Sequence, residues 1–158
     1  MNEQVKVIFD KSNEMRVAKG LPAFLYDDRL EKSAQTHADA LAAGHARPHD
    51  NLMGRIKDSG FPLSDKCRIS RREMQANYTE GIVDQPDAPS EKSPEYLTSS
   101  GPGEGHYDDF YDKKITHIGI GIGLGNRMNH VVWDYGLICD GDDEPKIDPS
   151  WINGLIKQ

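Results

Sequence analysis

The chain carries 6 histidines, and His106 stands just after a glycine-rich run, Gly101-Pro102-Gly103-Glu104-Gly105. Neutral imidazole nitrogen and carboxylate oxygen are donors that zinc accepts, and three protein ligands with one open position is its usual catalytic arrangement. The segment His45-Ala46-Arg47-Pro48-His49 offers two more imidazoles, although Pro48 argues against a helical i, i+4 pair. The distance to Gly60-Phe61 favours His45 for a site, leaving His49 as an exposed loop residue. His37 falls beside a helical apolar stripe and reads as a half-buried, hydrogen-bonded side chain. His117 and His130 accompany two strands as structural or exposed residues, with His117 the reserve candidate. A nucleophilic enzyme needs serine or cysteine beside histidine. Ser99 and Ser100 precede His106, but no G-x-S-x-G elbow occurs and serine in such a loop is ordinary turn chemistry.

The elements that must position these groups are legible in outline. Side chains alternate across a strand, so in 115–124 the residues Ile118, Ile120, Ile122 and Leu124 make one apolar face while Gly119, Gly121 and Gly123 leave the other bare. A bare face admits a closely packed neighbour, such as a helix, or a ligand. A dinucleotide loop is a poor alternative, since Leu124 and Asn126 stand where G-x-G-x-x-G requires glycine. A second strand over 128–138 completes a hairpin through Gly125-Asn126-Arg127.

Upstream, apolar residues from Glu3 to Ala18 form a helical stripe ended by Gly20 and Pro22. Asp27 or Asp28 can cap a second helix holding Leu30, Ala34, His37, Ala38 and Leu41, with Gly44 as its stop. A third helix is expected over 52–58, capped by Asp50 or Asn51 and ended by Gly60. Residues 68–78 read as a strand, with Arg68, Arg71 and Arg72 on its solvated face. Prolines at 86, 89, 94 and 102 mark 84–104 as a long loop with one helical turn around 91–97, and His106 to Asp112 as a short helix. Trp151, Ile152, Leu155 and Ile156 suggest a last helical turn. Helices first and a hairpin last imply an α+β domain with helices over a small antiparallel sheet.

A chain of 158 residues suits one domain able to bury a core without staples. A net charge of −7 argues against nucleic acid or an anionic membrane as general partner, because phosphate affinity rests on clustered cations. No run approaches the roughly 20 apolar residues needed to span a bilayer, and 1–4 lack the layout of a signal peptide. Cys67 and Cys139 allow at most one disulfide, or stand as two separate thiols.

Taken in order, Asn13-Glu14-Met15-Arg16, Gly20-Leu21-Pro22, Tyr26-Asp27-Asp28-Arg29-Leu30, Ala34-Gln35-Thr36-His37-Ala38, His45, Gly105-His106, Ile118-Gly119-Ile120-Gly121 and Trp133-Asp134-Tyr135-Gly136 resemble the CAP superfamily. That superfamily unites cysteine-rich secretory proteins, venom antigens, pathogenesis-related proteins and bacterial SCP-like domains. The missing cysteine-rich extensions are most similar to the bacterial branch. The likeness covers about 5–138 within a single domain, 1–158, and leaves 139–158 as an acidic turn and C-terminal tail.

The resemblance implies a three-layer α-β-α sandwich, secreted or placed at the cell envelope, with a central cavity where histidines and acids hold a divalent ion such as zinc. Carried over by position, His45 and His106 match the two histidines, and Glu73 the acid of the family's Gly-Glu-Asn-Ile strand, though Arg72 and Met74 flank it here. Glu95 or Glu104 would supply a second acid only by loop movement. The function implied is a non-enzymatic binding module for a small ligand, lipid or surface protein, acting as a monomer or weak dimer. The alternative is a metal-dependent, peptidase-like hydrolase with Glu73 as base, which is disfavoured because one carboxylate cannot easily be both ligand and base. Tyr96, Leu97, Phe110 and Tyr111 would line an apolar groove for a lipid, or else pack the short helices on the sheet.

Overall fold

The computed structural model describes residues 1–71 and 76–142. Its elements are α1 (Glu3–Ala18), β1 (Leu25–Tyr26), α2 (Asp28–Ala42), α3 (Leu52–Ser59), β2 (Tyr78–Gln85), α4 (Ser93–Thr98), α5 (Gly105–Phe110), β3 (His117–Leu124) and β4 (Asn129–Gly136). Glu73 and the tail expected around Trp151 lie outside the described residues.

The sheet runs β1-β3-β4-β2. β3 and β4 form the expected antiparallel hairpin and β2 pairs antiparallel with β4. The two-residue β1 pairs parallel with β3, so the sheet is mixed rather than wholly antiparallel. Strand alternation then sorts the two faces. Ile118, Ile120, Ile122, Trp133 and Tyr135 pack with Val5, Ile8, Leu97 and Phe110 of α1, α4 and α5. On the other face Ala34 and Ala38 of α2 meet Ile82 and Val132, and Leu30 meets Ile56 and Phe61 at α3. The result is the α-β-α sandwich that the family resemblance implied.

The glycine face of β3 is what lets α2 lie so close. A Cβ added at Gly119 would run into the backbone of Leu30 and Glu31, and one at Gly121 into that of Ala34 and Gln35. Gln35 also serves the exposed run of β3 beyond β1: its amide accepts from the Ile122 N–H at 2.9 Å and donates to the Ile122 carbonyl at 2.7 Å. That satisfies both groups of an edge residue that no described strand covers.

Helix ends follow local chemistry. Asn2 accepts the Val5 N–H at 2.8 Å to cap α1, and Asp27 accepts from Arg29 and Leu30 to cap α2. α1 is then tied across the molecule by Arg16, which is 1% exposed. Its guanidinium donates to the carbonyls of Phe110, Asp112 and Ile115 and lies 4.0 Å over the Phe24 ring. Cys67 and Cys139 are joined in a disulfide, one of the two outcomes the sequence left open.

The strand expected over 68–78 is the main correction. Of its described residues, only Tyr78 is in a strand, and β2 runs from there through Gln85. Two residues of the loop expected over 84–104, Asp84 and Gln85, belong to this strand, which Glu80, an acid, and Gly81 interrupt in sequence and Pro86 follows. Both interruptions are resolved by tertiary partners. A Cβ at Gly81 would touch Leu97 and Tyr135, and Glu80 is neutralised by an arginine 25 residues upstream.

Candidate functional site

β2 is an edge strand, so its alternating side chains reach opposite faces at the rim of the sheet. Glu80 points to the α2–α3 side, and Thr79 to the α5 side, where it donates to Asp109 Oδ2 at 3.3 Å. A cleft of about 260 Å³ opens along this rim, lined by His49, Arg71, Glu80, Ser100, Glu104, Gly105, His106 and Asp109.

Glu80 is the buried anchor. Arg55 Nη1 and Nη2 donate to its two oxygens at 2.8 and 3.0 Å, and His49 Nδ1 lies 3.0 Å from Oε2. Across the ladder Glu80 faces Asp134, also fully buried. Burial pushes Glu80 up, but hydrogen bonds from His49, Asp134 and Arg55 outweigh it and hold the carboxyl at about 2. Asp134 is driven well above the carboxylate range by burial and then by the Glu80 charge. Two carboxyl groups so close cannot both ionise, and the pair keeps one proton on Asp134.

His49 reaches this anchor because of its backbone. It sits at φ 65° and Asn51 at φ 51°, left-handed conformations uncommon outside glycine. The His49 N–H donates to Nε2 of His37 at 3.2 Å. His37 is 2% exposed, and burial lowers its pKa, which keeps the ring neutral and able to accept. It is the hydrogen-bonded histidine the sequence suggested, more deeply buried than half.

On the opposite wall Arg71 lies against Gly105, so that a Cβ there would require the guanidinium to shift. Arg71 Nη2 pairs with Asp109 Oδ2 at 3.3 Å. Burial pushes the Asp109 carboxyl up to about 6 against the pull of Arg71 and the Thr79 hydrogen bond, and among the described residues its Oδ1 has no hydrogen-bond partner. His106 is lowered by burial and by the charges of His49 and Arg71.

Of the residues singled out from the sequence, His106 lines the cleft. His45 does not: it is exposed one residue past Gly44, its N–H bonded to the Ala40 carbonyl, and His49 takes the place beside Glu80. Glu104 lines the cleft, whereas Glu95 lies 3.8 Å from Lys11. His117 is 7% exposed and packs on Phe61, and His130 pairs with Asp84 at 2.7 Å, both structural roles. Arg71, read as a solvated strand residue, is a cleft wall. Leu97 and Phe110 are core residues, 1% and 0% exposed, so they pack the short helices and do not line a groove.

The family model for the cysteine-rich secretory proteins (CAP) matches residues 9–137, and the chain belongs to that family. Its fold is similar to an outer surface protein of Borrelia burgdorferi, with a TM-score of 0.68 and 17% identity over 87% of this chain and 95% of that one. It is also similar to an extracellular protein of Bacillus anthracis containing an SCP domain, with a TM-score of 0.59 and 16% identity over 85% of this chain and 40% of that one. A third similar structure is NaASP2 with Zn²⁺, with a TM-score of 0.58 and 15% identity over 86% of this chain and 80% of that one. No curated protein matches the chain in sequence. At these identities the likeness is one of fold.

Beside the family's Gly-Glu-Asn-Ile strand, Thr79-Glu80-Gly81-Ile82 keeps glutamate and isoleucine two apart, a signal that would have found Glu80. For a resident metal the donor set is short. Among the described residues no three histidine, cysteine, aspartate or glutamate side chains converge to hold an ion, and both Glu80 oxygens are already held by Arg55. These residues do not fit a three-donor zinc site.

Proposed function

We propose that this chain is a non-enzymatic binding domain of the cell exterior or envelope, whose cleft beneath His49 and His106 takes a small polar ligand or an exposed group of a surface partner. The observation that carries this reading is the bidentate Arg55–Glu80 pair. A hydrolytic base must be free to take a proton from water, and Glu80 has both oxygens engaged and its carboxyl held at about 2. The cleft keeps the features of a recognition site: few convergent polar groups on rigid elements, anchored by a buried network. An exterior location is supported by the kinds of protein that share the fold, an outer surface protein and an extracellular protein among them, and by a disulfide, which persists in oxidising compartments. No described helix is long and apolar enough to cross a membrane.

The test pairs binding with turnover. A fragment library followed by amide NMR should give saturable shifts clustered on His49, Gly105 and His106, lost in His106→Ala. A panel of peptides and esters, with and without zinc, should stay uncleaved. Turnover abolished by Glu80→Gln would overturn the reading in favour of a hydrolase.

A further inference from the structure

The segment 45–51 supplies the His49 wall of the cleft, and a buried ring beneath it fixes where that wall stands. His49 and Asn51 are left-handed, at φ 65° and 51°, and a residue other than glycine stays in that region only where its surroundings over-determine it. Three contacts do so here. His49 Nδ1 lies 3.0 Å from Glu80 Oε2, Arg55 Nε donates to the Asp50 carbonyl at 2.9 Å, and the His49 N–H donates to Nε2 of His37 at 3.2 Å. The third is the one that a proton abolishes. A neutral imidazole keeps one nitrogen free to accept, whereas both nitrogens of an imidazolium are donors. His37 is 2% exposed, yet the His49 side chain directly above it is 46% exposed, so solvent is one residue away.

Resting on the reading of the cleft as a binding site, we infer that His37 is a proton-operated latch on that site. Neutral, it accepts the His49 N–H and holds the His49 imidazole beside Glu80 as one wall of the cleft. Protonated, it sets a donor against a donor, the segment 45–51 leaves its left-handed conformation, and the cleft releases what it holds. The proton comes from solvent and takes the Nε2 lone pair that the N–H had used; no covalent bond to carbon is made or broken.

The charges packed around His37 give the latch its direction. Arg55 of α3 and His49 oppose a positive ring, while Glu80 of β2 and Asp50 favour one. On β4, Asp134 carries the proton of its pair with Glu80, and His130 is paired with Asp84. β3 sets Gly119, Gly121 and Gly123 against α2, with His117 at its start packed on Phe61. Burial outweighs the carboxylates and lowers the ring below its ordinary 6.5. The unfolded chain therefore takes up this proton more readily than the folded one, so the latch is fully set above about pH 6.5 and is lost as pH falls through the lowered value. A charge on His49 itself would tighten its contact with Glu80, so titration of that ring works against release and does not imitate it.

The experiment follows the full chain by NMR from about pH 8 to about pH 4, a span that brackets the histidine range, reading the backbone amides of His49, Asp50 and Asn51 and the ring of His37. The expected result is one transition of the three amides with a midpoint below 6.5, coincident with protonation of the His37 ring, while the amides of Val5 and Ile8 in α1 stay in place. His37→Gln keeps an acceptor but takes up no proton, and should leave the three amides flat. Asp109→Asn removes another titrating group of the cleft and should leave the transition where it is. Library fragments that shift His106 at the alkaline end should bind the native chain about tenfold more weakly once the amides have moved, the drop expected when about a tenth of the molecules remain latched, and the drop should be smaller in His37→Gln. Amides that stay still while the ring titrates, a His37 ring that takes up no proton, or a transition undiminished in His37→Gln overturns the inference. Should that variant fail to fold, the coincidence of ring and amide transitions in the native chain decides alone. If no fragment maps to the cleft at any pH, the binding-site reading falls, and the native amides still judge the latch.

Discussion

Arg55 and Glu80 form a two-point ion pair beneath the cleft, with side chains 8% and 0% exposed. Removing one partner from such a pair leaves a buried charge without compensation, which typically costs about 3–5 kcal/mol. Arg55→Met is therefore expected to lower the unfolding free energy by about that amount in urea titrations at neutral pH. Adding Glu80→Gln should recover a large part of the loss, because the orphaned charge disappears. A single variant within about 0.5 kcal/mol of the native protein would show that the pair is not the anchor of the site.

Asp109 gives the cleft a pH dependence with a definite sign. Its folded pKa, about 6, lies above the ordinary 3.8, so the native state holds the proton more tightly than the unfolded chain. Stability from this group is complete below about pH 4 and is lost as pH rises to about 6. The loss is on the order of 3 kcal/mol by the usual conversion of pKa to free energy. Asp109→Asn removes the titration, so its stability relative to the native protein should improve between pH 4 and 7. A difference that stays flat across that interval in denaturant titrations would mean the carboxyl is not raised.

The helices and the hairpin were legible because their determinants are local. Asn2 and Asp27 cap their own helices, Gly44 and Gly60 end theirs, and the Ile/Gly alternation of β3 states which face α2 will cover. The cleft was less legible because its determinants are distant. Glu80 carries no local sign of a site until Arg55 is seen to neutralise it, and His49, exposed as expected, shows its place at the cleft only once His37 and Glu80 are seen to hold it. β1 is too short to show a period at all. The choice between His45 and His49 turned on two left-handed residues in one segment, which spacing to Gly60 does not encode.

The bare face of β3 makes a sharp prediction at Gly121. An alanine methyl there meets the α2 backbone at Ala34 and Gln35, and backbone cannot swing aside as a flexible side chain can. Overpacking of a core by a methyl group costs typically about 1–3 kcal/mol, and this position should fall at or above the top of that range. Gly141→Ala provides the contrast. Its added Cβ meets none of the described residues, and among these only the backbone strain of φ 85° opposes it, about 1–2 kcal/mol. Thermal melts of the two variants should rank in that order.

Zinc tests the donor set directly. An ion binding only the folded state at a hundred times its dissociation constant stabilises by about 2.7 kcal/mol, which is several degrees of melting temperature for a domain of this size. With Glu80 committed to Arg55, the native protein is expected to show no such rise. A rise that vanishes in His49→Ala/His106→Ala would establish that the two imidazoles hold the metal without Glu80. One that vanishes instead in His45→Ala/His106→Ala would restore the pair suggested by family position.

The Cys67–Cys139 disulfide spans 72 residues of sequence and fastens the segment carrying Arg71 to the end of β4. Ser70, next to Arg71, is in turn fixed by its N–H and hydroxyl to Asp112, both at 2.7 Å. In the chain-entropy account, closing a loop of this length stabilises by about 4 kcal/mol. Cys67→Ser/Cys139→Ser should therefore lose roughly that much in denaturant titrations. The loss should be felt at the cleft as well, because Arg71 directly follows a short segment anchored at Cys67 and Ser70: the amide signals of Gly105 and His106 should broaden in the double variant, while those of Ala34 and Ala38 stay sharp. Unchanged signals at Gly105 and His106 would mean that the Ser70–Asp112 contact positions Arg71 without help from the bridge.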